Sequence, residues 1–243
     1  MKTLMLATIS LSLLLLTNTS CSKNHWKCVD GQGELVKQER VVSDFTGIKL
    51  KMSGDVIVTV DPNAKTPKVE VEAQANIQEH IDLDVNSNTL VIDNGECIRN
   101  HKRITVHITT DDLSEVRVSG SGNVVINNTL ETNSFHASIS GSGDIRGQIV
   151  SQDASASIAG SGDINLSGTT KNLEVSIAGS GEFYGRALEA ANADMSISGS
   201  GDINCHVSEN LEVSISGSGS VNYLGSPSIE TSIAGSGKVK KLN

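Results

Sequence analysis

Seven polar residues recur at one position of this sequence, each directly after a Gly-Ser-Gly tripeptide: Asn123, Asp144, Asp163, Glu182, Asp202, Ser220 and Lys238. Carboxylates stacked about 5 Å apart repel in water, and a bound cation between Asp144, Asp163 and Asp202 would relieve that repulsion. Calcium-binding β-rolls, however, are built from nonapeptide units with an acid in each. The interval here is twice as long. The plainer reading is that each Asp accepts hydrogen bonds from backbone N–H groups of its own turn.

Other chemistries find less support. Gly-Ser-Gly lacks the lysine of a phosphate loop, and no helical pattern follows it to hold an anion at its N-terminus. His25, His80, His101, His107, His136 and His206 are scattered, with no pair at metal-ligand spacing, so no metal site is assigned. Glycoside hydrolysis needs two converging carboxylates, whereas the outward positions are mostly Ser, Asn, Thr and Ala. Asp153 and Asp194 read as isolated loop acids, and Arg146 and Arg186 as lone arginines two repeats apart. No catalytic residue and no cofactor is assigned, and the chain reads as a non-enzyme. A polysaccharide lyase or hydrolase is the least favoured alternative.

The elements that position these residues come from the repeat itself. The phrase is an aliphatic residue, a small residue, then Gly-Ser-Gly. Its paired corner glycines are Gly120 and Gly122, Gly141 and Gly143, Gly160 and Gly162, Gly179 and Gly181, Gly199 and Gly201, Gly217 and Gly219, and Gly235 and Gly237. Successive first glycines are 21, 19, 19, 20, 18 and 18 residues apart. Between corners, Leu173, Val175 and Ile177 alternate with Glu174 and Ser176, the period of a half-buried strand. Phe183 begins a second short strand that Gly185 closes. Two glycines one apart supply positive φ and leave no Cβ to crowd the bend. Stacked hairpins would not repeat one corner at a fixed interval, but a coil that returns to the same azimuth does. The prediction is an all-β protein, a parallel β-helix of about 19 residues per coil. Seven coils at strand spacing make a rod of roughly 30 Å. Only six of 243 residues are aromatic, which suits a narrow interior filled by Ile and Val.

Residues 1–20 read as a targeting segment, with Lys2 its sole charge and an apolar core too short to span a bilayer as a stop-transfer helix. Small residues lead into Cys21, a pattern that resembles a bacterial lipoprotein signal. That resemblance implies a diacylated Cys21, palmitate included, as the new N-terminus. The aliphatic Leu16 lies five residues before Cys21, and Asn18 occupies the place three before where the motif has its aliphatic residue. An ordinary secretory signal with Cys21 free is the alternative. Residues 21–33 read as a tether from the anchor, 34–118 as a β-rich N-terminal part, and 119–243 as the repeat helix. Exported chains oxidise their thiols. Cys28 and Cys97 lie in polar segments and are expected to pair, while Cys205 alternates with Ile203 and Val207 as a buried thiol.

Strands are expected at 48–52, 56–60, 69–73, 81–85, 89–93, 104–109 and 115–118. Asn86-Ser87-Asn88 should form a hairpin, and 76–80 a single helical turn. This part is expected to cap the first regular coil. Lys238, Lys240 and Lys241 on the last strand would discourage end-to-end stacking. The formal charge is −9. An acidic chain poor in aromatics excludes a nucleic-acid partner, which needs clustered cations and stacking platforms.

The repeated SGSGDI and AGSGDI corners stand beside RVVSDFTGIKLKMSGDVIVTV and NSNTLVIDNGECIRNHKRITVHITTDDLSEVRVSGSGNV. Together they resemble the auto-transporter adhesin head domain, or head GIN domain, over residues 40–239. The resemblance implies a right-handed parallel β-helix. It also implies a lipid-anchored or secreted envelope protein of a diderm bacterium, with an adhesive role and no catalytic residues. Cys28 and Cys97 look like the cysteine pair of some members. The expected function is a non-enzymatic outer-membrane lipoprotein, facing periplasm or cell surface, that binds glycan or protein through a polar face. A self-associating envelope scaffold is the runner-up.

Overall fold

The computed structural model describes residues 28–243. The targeting segment, Cys21 and residues 22–27, with His25, lie outside it. Ten strands precede the regular repeats: β1 (Val29–Asp30), β2 (Leu35–Arg40), β3 (Gly47–Leu50), β4 (Asp55–Val60), β5 (Lys68–Gln74), β6 (Ile81–Asn86), β7 (Thr89–Asn94), β8 (Ile98–Arg99), β9 (Thr105–Thr110) and β10 (Glu115–Val118). A 3-10 turn, Gln78–His80, leads into β6. Five long strands follow: β11 (Asn123–Gly141), β12 (Asp144–Gly160), β13 (Asp163–Gly179), β14 (Glu182–Gly199) and β15 (Asp202–Gly217). The chain finishes with β16 (Ser220–Gly225), β17 (Ser228–Gly235) and β18 (Lys238–Lys241).

Each long strand is one whole coil. β12 pairs in parallel with β13 from Asp144↔Asp163 through Gly160↔Gly179, so every residue sits beside its equivalent one repeat on. The fold is a parallel β-solenoid. Two short strands per repeat were expected, but the backbone stays extended around the gentler bends. Gly185, expected to close a strand, instead marks a register slip between β14 and β15. From β11 to β15 only Gly-Ser-Gly ends a strand; Gly168 turns within β13 at φ 107°, and residues 226–227 part β16 from β17 in the last coil.

The two corner glycines do different jobs. The first adopts φ of 127–157° from Gly141 to Gly235, a region that favours glycine. The second does not, contrary to the expectation of positive φ at both. It is glycine because a Cβ at Gly162 would collide with the Gly143 carbonyl oxygen of the coil before. That close approach lets Ser161 N–H donate to Gly141 O at 3.0 Å and Ser180 N–H to Gly160 O at 2.9 Å.

Inside, Ile139, Ile158, Ile177, Ile197 and Ile215 form one continuous buried column. Large and small residues alternate in another: Phe135, Ala154, Leu173, Ala193 and Leu211. Fully burying each large aliphatic contributes on the order of 1.5–3 kcal/mol, so a coil is held chiefly by the neighbours that cover it.

The N-terminal strands extend the same two long faces, but out of sequence order. On the first face the order runs β6-β7-β3-β10 and then the C-terminal halves of β11 to β15, with β17 last. On the second it runs β2-β5-β9-β4, the N-terminal parts of β11 to β15, then β16 and β18. The turn β3–β4 is therefore a coil held between two others that come later in the chain, β7–β9 and β10–β11. The outermost strands β6, β5 and β2 run antiparallel to the strands they cover, which ends the parallel stack. β2 was missed in the sequence. Its mostly exposed side chains lack alternation, and Gln78 holds it by donating to Val36 O at 2.8 Å and Val71 O at 2.9 Å. Ser87 and Asn88 both have positive φ in the β6–β7 hairpin, as the two-residue turn of a hairpin requires.

Candidate functional site: two polar faces of the solenoid

The residues after Gly-Ser-Gly do form a ladder along the second face. Their carboxylates do not cap their own turns. Each reaches the next coil instead: Asp163 Oδ1 accepts from Glu182 N–H at 3.0 Å, and Asp202 Oδ1 from Ser220 N–H at 2.9 Å. Asn123 does the same for Asp144 N–H at 3.2 Å. These bonds stitch coil to coil through one oxygen of each carboxylate. Among the described residues no three of His, Cys, Asp and Glu converge as a metal shell.

The ladder has one further rung that spacing alone could not disclose. Asp55 pairs with Asn123 across 68 residues of chain and accepts from its Nδ2 at 3.0 Å. Burial of its side chain, 13% exposed, pushes the Asp55 carboxyl up. Hydrogen bonds from Arg103 and Asn123, with the Arg103 charge, outweigh that and hold it below 3.8.

Beyond this ladder the second face carries Arg146, Asn165, Tyr184 and Asn204 in one row. Tyr184 is 40% exposed, while Phe45, Phe135 and Phe183 are buried. Its hydroxyl is pushed up to about 12, first by a hydrogen bond to Glu182, then by burial and the charges of Glu182, Asp163 and Asp144. Three hollows adjoin along the face. One of about 530 Å³ lies between Asp55, Arg103 and Arg146. The next, about 250 Å³, is lined by Arg146, Asp163, Asn165 and Tyr184. The third, about 300 Å³, is lined by Asn165, Glu182, Tyr184, Arg186, Ala187 and Asn204. Arg186 donates twice to Asn204 Oδ1, at 3.2 and 2.7 Å, and the buried Asn204 donates to Glu182 at 2.6 Å.

The first face is smoother. Ser138, Ser157, Ser176, Ser196, Ser214 and Ser232 stand in one outward row. Beside it Glu174, Asp194, Glu212 and Glu230 stand in another. At the bend before them, Asp153, Asn172, Asn192 and Asn210 pass hydrogen bonds up the stack at 2.8, 3.1 and 2.8 Å. Asp153 and Asp194 are not the isolated loop acids that the sequence led us to expect. Both lie within strands, in registered rows whose members are 18–20 residues apart. That spacing was the available signal. A groove of about 510 Å³ runs along these rows.

The three cysteines among the described residues are structural. Cys28 and Cys97 are joined, closing a separation of 69 residues, beside the small parallel pair β1–β8. Cys205 is free and buried, and burial pushes its thiol up to about 12, which leaves it unreactive. No helix among the described residues is long and apolar enough to cross a membrane.

Solved structures of the same architecture exist. A "putative adhesin" from Bacteroides fragilis is 28% identical, with a TM-score of 0.84 over 88% of this chain and 100% of that one. A "putative lipid binding protein" from Parabacteroides distasonis is 26% identical, with a TM-score of 0.74 over 89% and 100%. A "putative adhesin" from Parabacteroides merdae, 22% identical over 88% and 99% with a TM-score of 0.70, shares the fold. No curated protein matches the chain. The family model described as "putative auto-transporter adhesin, head GIN domain" matches residues 44–227, and the chain belongs to that family.

Proposed function

We propose that the protein is a non-enzymatic adhesin of the bacterial cell envelope, anchored in the outer membrane through an acylated Cys21, that binds glycans through its polar solenoid surface. The observation that carries this reading is the registration of outward hydroxyl, amide and carboxylate groups in rows at strand spacing. Such rows present donors and acceptors at fixed intervals of about 4.8 Å, suited to a ligand that is itself a polymer of hydroxyl groups. The family and its adhesin-named relatives support the same role. Hydrolysis would need two carboxylates held in different environments, whereas the acids here repeat in equivalent ones. The mature chain should bind a subset of a glycan array or whole cells, and should release no product from polysaccharides. Failure to bind on both platforms refutes the adhesive reading. Radioactive fatty-acid labelling that is equal in wild type and Cys21→Ala refutes the anchor.

One observation favours self-association as a second reading. Strand β17 is exposed throughout, and Ile229 and Ile233 show 38% and 44% of their surface at positions buried in the coils before. Concentration-dependent sedimentation tests it, and a strict monomer excludes it.

A further inference from the structure

We infer that Tyr184 is the platform of a two-ring subsite for neutral pyranose sugars on the second face. The inference rests on the glycan-binding reading above and adds its place and selectivity. Among the described residues Tyr184 is the one aromatic side chain that ranks as exposed, and it stands in the middle of the face rather than at an end. A solvent-facing ring costs hydrophobic burial that every phenylalanine in this molecule keeps. The ring also lines two neighbouring hollows, about 250 and 300 Å³, together with Asn165. The apolar C–H face of a pyranose stacks on such a ring, while its hydroxyls need partners that donate and accept.

Both kinds are present around the ring. On one side are the Asp163 carboxylate, the Asn165 amide and the Arg146 guanidinium. On the other are Glu182, Asn204 and Arg186. This second set is already held in place. Asn204, 4% exposed, receives both Arg186 hydrogen bonds and donates to Glu182. A preorganised set loses little freedom when a ligand arrives.

The charge balance sets the selectivity. Asp144, Asp163, Glu182 and Asp202 occupy consecutive rungs beside the ring, and Arg146 spends its charge on Asp144 at 3.3 Å. These four carboxylates outnumber Arg146 and Arg186 around the ring, and their net negative charge would repel a uronate or a sialylated chain. A neutral hexose meets no such penalty.

The test is titration of the mature protein with neutral oligosaccharides and with uronate-containing and sialylated ones, read by array and then by calorimetry. Neutral chains should bind, and anionic ones at least tenfold more weakly. Tyr184→Ala should weaken binding at least tenfold and Asn165→Ala severalfold, whereas Tyr184→Phe should bind within about threefold of wild type. Gln38→Ala, on the exposed capping strand β2, should leave affinity unchanged, and thermal melts should show all variants folded. Glycan binding that survives Tyr184→Ala and Asn165→Ala within twofold overturns the subsite but leaves the adhesin standing. A preference for anionic chains overturns the selectivity. Absence of any glycan binding by wild type removes the reading beneath both.

Discussion

Two side chains report directly on the field around the second face. Tyr184 should ionise only near pH 12, because its hydroxyl hydrogen-bonds Glu182 and faces the charges of Asp163 and Asp144. In a Tyr223→Phe background it is the sole tyrosine, so ultraviolet titration can follow it alone. Adding Glu182→Gln should bring the midpoint down toward 10. Asp55 works in the opposite pH range. Its folded carboxyl lies below 3.8, so the stability it contributes is present above that value and is lost as pH falls through the folded one. Asp55→Asn should cost about 1–2 kcal/mol at pH 7 and flatten the fall in stability below about pH 4, measured by urea unfolding across pH. How much of this was legible depended on sequence distance. The rungs from Asn123 to Lys238 could be read because they keep the repeat interval. Asp55 could not, because a chain that leaves the stack for 68 residues and returns erases the interval. Asp153 and Asp194 kept it, but a single acid among Ser and Ala looks like a loop until its neighbours in space are known.

Among the elements, the corner decides whether coils can stack. Gly160→Ala places a methyl on the Gly141 carbonyl at φ +147°, and Gly162→Ala does the same on Gly143. Each should cost roughly 2 kcal/mol or more, while Ser161→Ala between them should stay within about 0.5 kcal/mol, all read from denaturant midpoints. The solenoid was legible because this constraint leaves a mark at every coil: no other residue fits, so glycine recurs. Its other bends left only an irregular mark, with glycine at positive φ in two coils, Gly168 and Gly225, but no phrase that recurs. Elsewhere extended backbone accepts most side chains, and the expected second strand at Phe183 proved part of one continuous strand. The outermost strands had too little alternation to stand out, and β2 and the pair β1–β8 went unread for that reason.

Across the whole molecule, the Cys28–Cys97 bond ties the first described residue to the far end of the stack. Closing a loop of that length is expected to contribute about 2–4 kcal/mol. The Cys28→Ala, Cys97→Ala double variant should lose that amount in a denaturant series, and wild type should fall to the same level once reduced.

The coil β3–β4 lies between partners that are translated after it, and this ordering governs how the chain can fold as it emerges. Its first turn has no complete parallel partner until β9 has emerged at residue 110, and is covered on both sides only once residue 126 has cleared the exit, so assembly cannot advance steadily from the N-terminus. A kernel must close first, drawing in three distant stretches at once, and every later Gly-Ser-Gly turn then adds as a local step. Refolding should therefore be slowed most by lesions near Asn123, while damage at the final turns should chiefly hasten fraying.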